Sequence, residues 1–273
     1  MLKDITIGQY FPGTSPVHRM DPRAKIIFMA LYIIELFLAG NLQAMAVSIL
    51  FILLGYAVSG IPLKMVLKSI KPVLVLIVFT GVLNMFFVTG EGASVVFSWK
   101  FITITDKGIF YAVVMAVRII CLIAGTTLLT YTTSPIVLTD GIERLMEPLR
   151  VLHVPVHEIA MMMTIALRFI PTLIEETDKI MSAQKARGAD FESGGLMDKA
   201  RSLVPILIPL FVSSFRRADE LALAMECRCY HGGSGRTRMR QLKLTGVDYA
   251  GFAFCILTVA AVLVVNRMFP TIY

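Results

Sequence analysis

Charge is scarce in this sequence. Asp, Glu, Lys and Arg make up 16% of its 273 residues, where a soluble domain carries about 25%, and the mean hydropathy is +0.75. That excludes an ordinary soluble globule and predicts a polytopic membrane protein. The four cysteines form no disulfide pattern, since Cys121 and Cys255 lie in apolar runs. Cys227 and Cys229 with His231 make at most a partial metal site, because zinc takes about four ligands and no further one is spaced to complete it. There is no Pro/Ser linker, no low-complexity tract and no strong internal repeat. No G-x-x-x-x-G-K-[ST] occurs, so the chain has no phosphate-binding loop of its own. No Ser/His/Asp constellation, His-rich cluster or paired intramembrane acid supports a membrane-bound enzyme. The N-terminus lacks a charged leader, apolar run and cleavage site, so no cleaved signal peptide is expected.

What is present is apolar runs with basic flanks. The net charge is +7, but the basic residues lie beside apolar helices, which points to a membrane surface and not to nucleic acid. A spanning helix needs about 20 mostly apolar residues. Five stretches qualify: 24–40, 42–60, 72–90, 108–131 and 247–266. Two more are ambiguous. "IAMMMTIALRFIPTLI", 159–174, is interrupted by Arg168 and Pro171, and "SLVPILIPLFVSSF", 202–215, is short and contains Pro205 and Pro209.

Charge argues against both as spans. Short cytoplasmic loops collect Lys and Arg. With five spans and the N-terminus inside, Lys3, Arg19, Arg23 and Lys25 are cytoplasmic, as are Lys64, Lys68 and Lys71. Residues 132–246 are then inside too, with fifteen Lys and Arg. A span at 159–174 would carry Lys179, Lys185, Arg187, Lys199 and Arg201 outside. The expected fold is therefore an all-α membrane protein with five transmembrane helices and a cytoplasmic domain of long amphipathic helices. Residues 1–133 hold spans one to four, 134–246 the cytoplasmic domain, and 247–273 the fifth span. Within the insert, 157–187 reads as one helix kinked near Pro171 and ending at Gly188, and 196–230 as a second, bent at its prolines.

Each of these helices is expected to end on an arginine between small residues: Ala186-Arg187-Gly188 and Cys227-Arg228-Cys229. The plain reading is a cation closing a helix, worth about 0.3–1 kcal/mol against the helix dipole. Two such ends shift the weight towards docking, because arginine offers a planar fork that a carboxylate accepts in bidentate fashion. Cys229 resists the positive φ that a glycine tolerates, so Gly232 and Gly233 are expected to take over the second cap.

These motifs, with "GQYFPGTSPVHRMDPRAKI" before the first span and "AMECRCYHGGSGRTRMRQL" around the second arginine, resemble the transmembrane T component of energy-coupling factor (ECF) transporters, of the shared-module (group II) type. The resemblance runs nearly end to end. It implies a coupling domain, a non-catalytic role, and no cofactor on this chain. ATP and Mg would sit on two partner ATP-binding-cassette (ABC) ATPases, which Ala186, Arg187, Gly188 and Cys227, Arg228, Cys229 would contact. It also implies an interchangeable membrane-embedded S component that binds a vitamin, and a multi-pass location in the plasma membrane with the N-terminus cytoplasmic and the C-terminus outside. The second motif keeps the family's arginine and replaces both neighbours.

Three polar residues lie inside spans: Glu35, Asn84 and Arg118. Such residues are expensive in lipid. Glu35 and Arg118 have matched depths on antiparallel spans and are expected to form a structural ion pair. The alternative is a self-contained secondary transporter or channel with Glu35 and Arg118 on its path. Met161, Met162 and Met163 offer an adaptable surface on the first long cytoplasmic helix.

Overall fold

The computed structural model describes residues 10–87, 95–99, 102–189, 191, 195–233 and 241–269. In order they form α1 (Pro16–Arg19), α2 (Pro22–Leu38), α3 (Leu42–Ser59), α4 (Leu63–Ile70), α5 (Leu74–Phe87), β1 (Val95–Trp99), β2 (Ile102–Thr105), α6 (Asp106–Thr132), α7 (Pro135–Met146), α8 (Val156–Ala186), α9 (Leu196–Glu226) and α10 (Gly246–Met268). Turns of 3₁₀ helix occupy Lys71–Val73 and Glu147–Leu152. Among the described residues the fold is α-helical apart from the antiparallel pair β1–β2, which falls in what the sequence shows only as a loop between two spans.

The helix boundaries follow local chemistry. Asp21 has extended backbone, its Oδ1 accepts from the Arg23 N–H at 2.9 Å, and Pro22 fills the first helical position of α2. The Arg23 guanidinium closes on the same carboxylate at 3.0 and 2.8 Å. Asn41 caps α3 by accepting from Ala44, and Gly60 ends it at φ +71°. Asp248 accepts from the Thr245 N–H at 2.7 Å and its hydroxyl at 2.8 Å at the start of α10. Its other oxygen takes the Asp21 N–H at 2.8 Å, so the first and last long helices are tied where both begin.

Contacts divide the chain into two compact units: Gly8–Gly141 with Leu242–Tyr273, and Met1–Ile7 with Ile142–Gln241. In the first, α2 packs on α10, α6 and α3, while α5 lies against α6. Tyr32, Ile52, Tyr56, Ile61, Val66, Ala124 and Tyr131 form its main buried cluster. The tyrosine hydroxyls are all satisfied on backbone: Tyr32 donates to Cys121 O at 3.4 Å, Tyr56 to Ala124 O at 2.7 Å and Tyr131 to Met65 O at 3.3 Å. An apolar surrounding demands this, because an unpaired hydroxyl there costs several kcal/mol. The outward residues, including Val75, Phe79, Ile256 and Leu257, are large, apolar and exposed, as a lipid-facing surface requires.

Among the described residues, five helices are long and apolar enough to cross a membrane, as expected, but the set differs by one. It comprises α3, Leu63–Phe86, α6, α8 and α10. The sequence's first span, α2, has 17 residues, about 25 Å of helix against a hydrocarbon core of about 30 Å. It is the shortest, yet it runs through the centre of its unit with Tyr32, Glu35 and Leu36 at most 1% exposed. Helix α8 takes its place by length, but is the least apolar of the five and carries Glu158, Arg168, Glu175, Glu176, Asp178, Lys179 and Lys185. The third span begins earlier than the expected residue 72, because α4, the 3₁₀ turn and α5 join into one rod; residues 88–90 of the expected span lie outside the described residues.

Helices α2 and α6 approach closely at Gly125. A Cβ there would meet the Tyr32 ring at 2.7 Å, and Tyr32 is held by stacking on Phe51 at 5.4 Å between ring centroids. Gly125→Ala should therefore cost about 1–3 kcal/mol by overpacking. Gly81, with nothing within 4 Å of the same position, is the control: Gly81→Ala should be neutral or gain up to about 1 kcal/mol of helix propensity. Thermal unfolding in detergent distinguishes the two.

Candidate functional site: two arginine-tipped helix ends

The second unit is built on α8 and α9, both 31 residues long, packed on one another. Pro171 lies inside α8, and Pro205 and Pro209 inside α9. After its proline each helix runs on to its arginine without another break.

The two ends have the same hydrogen-bond pattern. At the first, the Gly188 N–H donates to Lys185 O at 3.0 Å and the Ala189 N–H to Gln184 O at 3.0 Å, with Gly188 at φ +88°. At the second, the Cys229 N–H donates to Glu226 O at 2.8 Å and the Tyr230 N–H to Met225 O at 3.0 Å, with Cys229 at φ +55°. Both are Schellman closures, with a left-handed residue one step past the arginine and a reach of five residues from the step after it. Arg187 and Arg228 thus occupy equivalent positions.

This corrects the expectation that Gly232 and Gly233 cap the second helix. Gly232 does have φ +96°, but the closure is made at Cys229. The Schellman bonds hold a non-glycine residue in a conformation that costs an L-residue roughly 1–2 kcal/mol. Two substitutions should therefore differ in sign. Gly188→Ala should destabilise the first end by about 1 kcal/mol. Cys229→Gly should stabilise the second, by about 0.5–1 kcal/mol after the greater freedom of glycine in the unfolded chain is subtracted. Hydrogen exchange at the last turns of α8 and α9 reads both.

Ala186, Arg187, Gly188, Cys227, Arg228 and Cys229 are all exposed. Neither guanidinium has a hydrogen bond or ion pair among the described residues, although each stands beside the carbonyl end of a long helix. The first half of α9 also carries an apolar stripe: Val204, Leu207, Ile208, Phe211, Val212 and Phe215 are exposed at helical spacing on one side. On α8, Met162 and Met163 are exposed and Met161 half-buried.

The intramembrane polar residues are arranged differently from the expected pair. Glu35 is fully buried and accepts from the Ser48 hydroxyl at 3.0 Å and the Thr258 hydroxyl at 3.1 Å, joining α2, α3 and α10. Arg118 on α6 instead donates to Ala39 O at 3.0 Å and lies 5.9 Å from the centre of the Phe37 ring. Glu35 and Arg118 form no ion pair. Ala39 caps the C-terminus of α2, where a cation is favoured by the helix dipole; Glu35 lies a full turn earlier and faces the two hydroxyls. Asn84 donates to Thr80 O of its own helix at 2.8 Å and links no other element among the described residues.

Sequence reasoning passed over a polar link between the long helices. Glu176 on α8 takes Arg217 Nη2 at 2.6 Å on one carboxylate oxygen and the Ser213 hydroxyl on the other, both from α9. Gln184 Nε2 donates to Pro205 O at 3.3 Å. No motif signals these residues; only their joint spacing from the arginines does.

Comparison with known proteins agrees with this architecture. The CbiQ family, described as cobalt transport protein, matches residues 13–239. The chain is 53% identical over 268 residues, 98% of both chains, to the energy-coupling factor transporter transmembrane protein EcfT of Clostridium kluyveri. It is 56% identical over 242 residues to the EcfT of Acidaminococcus fermentans, covering 89% of each, and 48% identical over 248 residues to that of Bacillus subtilis, covering 91% of this chain and 93% of the relative. With its long apolar helices and a match over most of its length, the chain belongs to the CbiQ family and is the multi-pass transmembrane T component of an energy-coupling factor transporter.

Proposed function

We propose that this chain couples ATP hydrolysis by two partner ABC ATPases to vitamin uptake through a membrane-embedded S component. The single observation that carries this is the pair of equivalent helix ends, each presenting an exposed arginine, without a partner among the described residues, in the same backbone closure. A guanidinium at a rigid helix end fits an acidic groove, and one groove on each of two ATPases gives two such ends a use. ATP and Mg belong to those partners, and this chain catalyses nothing. Residues 134–246 face the cytoplasm, with the N-terminus inside and the C-terminus outside at the plasma membrane.

The apolar stripe of α9 and the methionines of α8 need a cover, and a membrane-embedded S component supplies one. A surface rich in Met and large aliphatic residues adapts to several partners, which suits a module shared among S components. The alternative, a secondary transporter or channel working through Glu35 and Arg118, has less support, because both residues are engaged in bonds between helices: Glu35 with Ser48 and Thr258, Arg118 with Ala39 O.

Co-expression with two ABC ATPases and an S component, followed by affinity purification of this chain and mass measurement of the intact assembly, tests the reading. The expected result is one copy of each chain in a single particle. Recovery of this chain without ATPases would contradict it.

A further inference from the structure

The links between α8 and α9 form an antiparallel ladder. Moving back eight residues on α8, from Gln184 to Glu176, goes with moving forward eight on α9, from Pro205 to Ser213. The Gln184 rung has a local cause. Pro209 has no N–H, so the carbonyl four residues earlier, on Pro205, has no partner within the helix, and Gln184 supplies one from the neighbour. The Glu176 rung uses both carboxylate oxygens, one for Ser213 and one for Arg217.

The position of that second rung is symmetrical. Arg187 lies eleven residues beyond Glu176, and Arg228 eleven residues beyond Arg217. Eleven residues are about 16 Å and close to three turns, so each arginine leaves its helix on nearly the same side as the ion-paired residue below it. Since the helices run antiparallel at the ladder, the two arms point in opposite directions. Neither arm contains a proline: Pro171 precedes Glu176, and Pro205 and Pro209 precede Ser213. Each helix is thus unbroken from the ion pair to its tip and softened behind it.

We propose that the Glu176–Arg217 ion pair is the fulcrum of a two-armed lever, tying the displacement of one arginine tip to that of the other. The lever rests on the reading of both tips as ATPase docking points. Glu176 and Arg217 are positioning residues in it: they touch neither nucleotide nor transported substrate, and set how motion at the tips is shared. An ATPase pair that closes or opens moves both tips. With the fulcrum intact the two helices turn as one body, and without it each helix bends at its prolines and the motion is dissipated.

The test uses the complete complex in proteoliposomes, with ATP hydrolysis, uptake of the radiolabelled vitamin carried by the co-expressed S component, and retention of ATPases measured on the same preparations. Glu176→Gln and Arg217→Gln should each keep both ATPases and hydrolyse ATP, while uptake per ATP falls about tenfold, within the usual range of coupling between sites. The charge swap, Glu176→Arg with Arg217→Glu, should recover most of that ratio, which two unrelated structural lesions would not do. Wild-type uptake per ATP in both single variants would overturn the lever, as would single variants that lose their ATPases, since the pair would then serve assembly. If the single variants do not fold, a swap that folds and hydrolyses ATP without restored uptake overturns it equally. A wild-type chain that retains no ATPase would overturn the docking reading itself, and is distinguished by the retention measurement.

Discussion

With Arg187 and Arg228 both replaced by alanine, the purified chain should carry no ATPase and vesicles should show no ATP-driven uptake. Each single change should weaken ATPase binding by about 2–5 kcal/mol, the usual cost of removing one partner of a buried, hydrogen-bonded charge pair across an interface. Neither guanidinium is used inside the described part of the chain, so the loss should fall on assembly and leave the fold intact. Helical content of the double variant in detergent should match the wild type, and its thermal stability should fall by no more than the ~0.3–1 kcal/mol that each helix-end cation contributes. Arg187→Lys should recover little, because an ammonium keeps the charge and loses the planar fork. Titration of detergent-solubilised chain with its ATPases gives the affinities. Wild-type binding by the double variant would remove the arginines from the interface.

The second large effect concerns stability. Glu35→Ala should cost about 2–5 kcal/mol, because it opens a cavity at a fully buried position and leaves the Ser48 and Thr258 hydroxyls without their shared acceptor. Glu35→Gln should cost under about 1.5 kcal/mol, as a substitution that keeps volume and hydrogen bonding. The amide oxygen accepts from Ser48, the amide nitrogen donates to Thr258, and the Thr258 hydroxyl turns to Cys255 O, already 2.9 Å away. Thermal unfolding gives the stabilities and vesicle uptake the activity. Normal uptake with Glu35→Gln is expected of a structural polar junction. A fully stable Glu35→Gln protein without uptake would favour a translocation path through Glu35.

Most span boundaries and the first arginine end are legible in the sequence because each has a local cause: an apolar run of the right length, an Asp21-Pro22 cap, a glycine after Arg187. The second end is legible only in part. A cysteine after Arg228 reads as an obstacle to closure, since its intrinsic preference is visible and the Schellman bonds that override it are not. The Glu35–Arg118 pairing fails for a related reason. Depth along two helices can be counted from sequence, but the rotation of each helix cannot, and rotation turns Glu35 to Ser48 and Thr258 while Arg118 reaches Ala39. The strands Val95–Trp99 and Ile102–Thr105 carry too few residues of clear alternation to stand out between two spans. The Glu176–Arg217 pair lies on helices already read as helices, yet pairing residues 41 apart requires the antiparallel register, which no local pattern states.

The central claim is that this chain transmits work done on other chains and carries nothing by itself. The most direct measurement is vitamin uptake into proteoliposomes holding this chain, both ATPases and the S component, compared with vesicles holding this chain alone and with complexes whose ATPases bind but do not hydrolyse ATP. The account predicts uptake only in the complete, hydrolysing complex. Uptake by the chain alone, driven by an ion gradient without ATP, would contradict it.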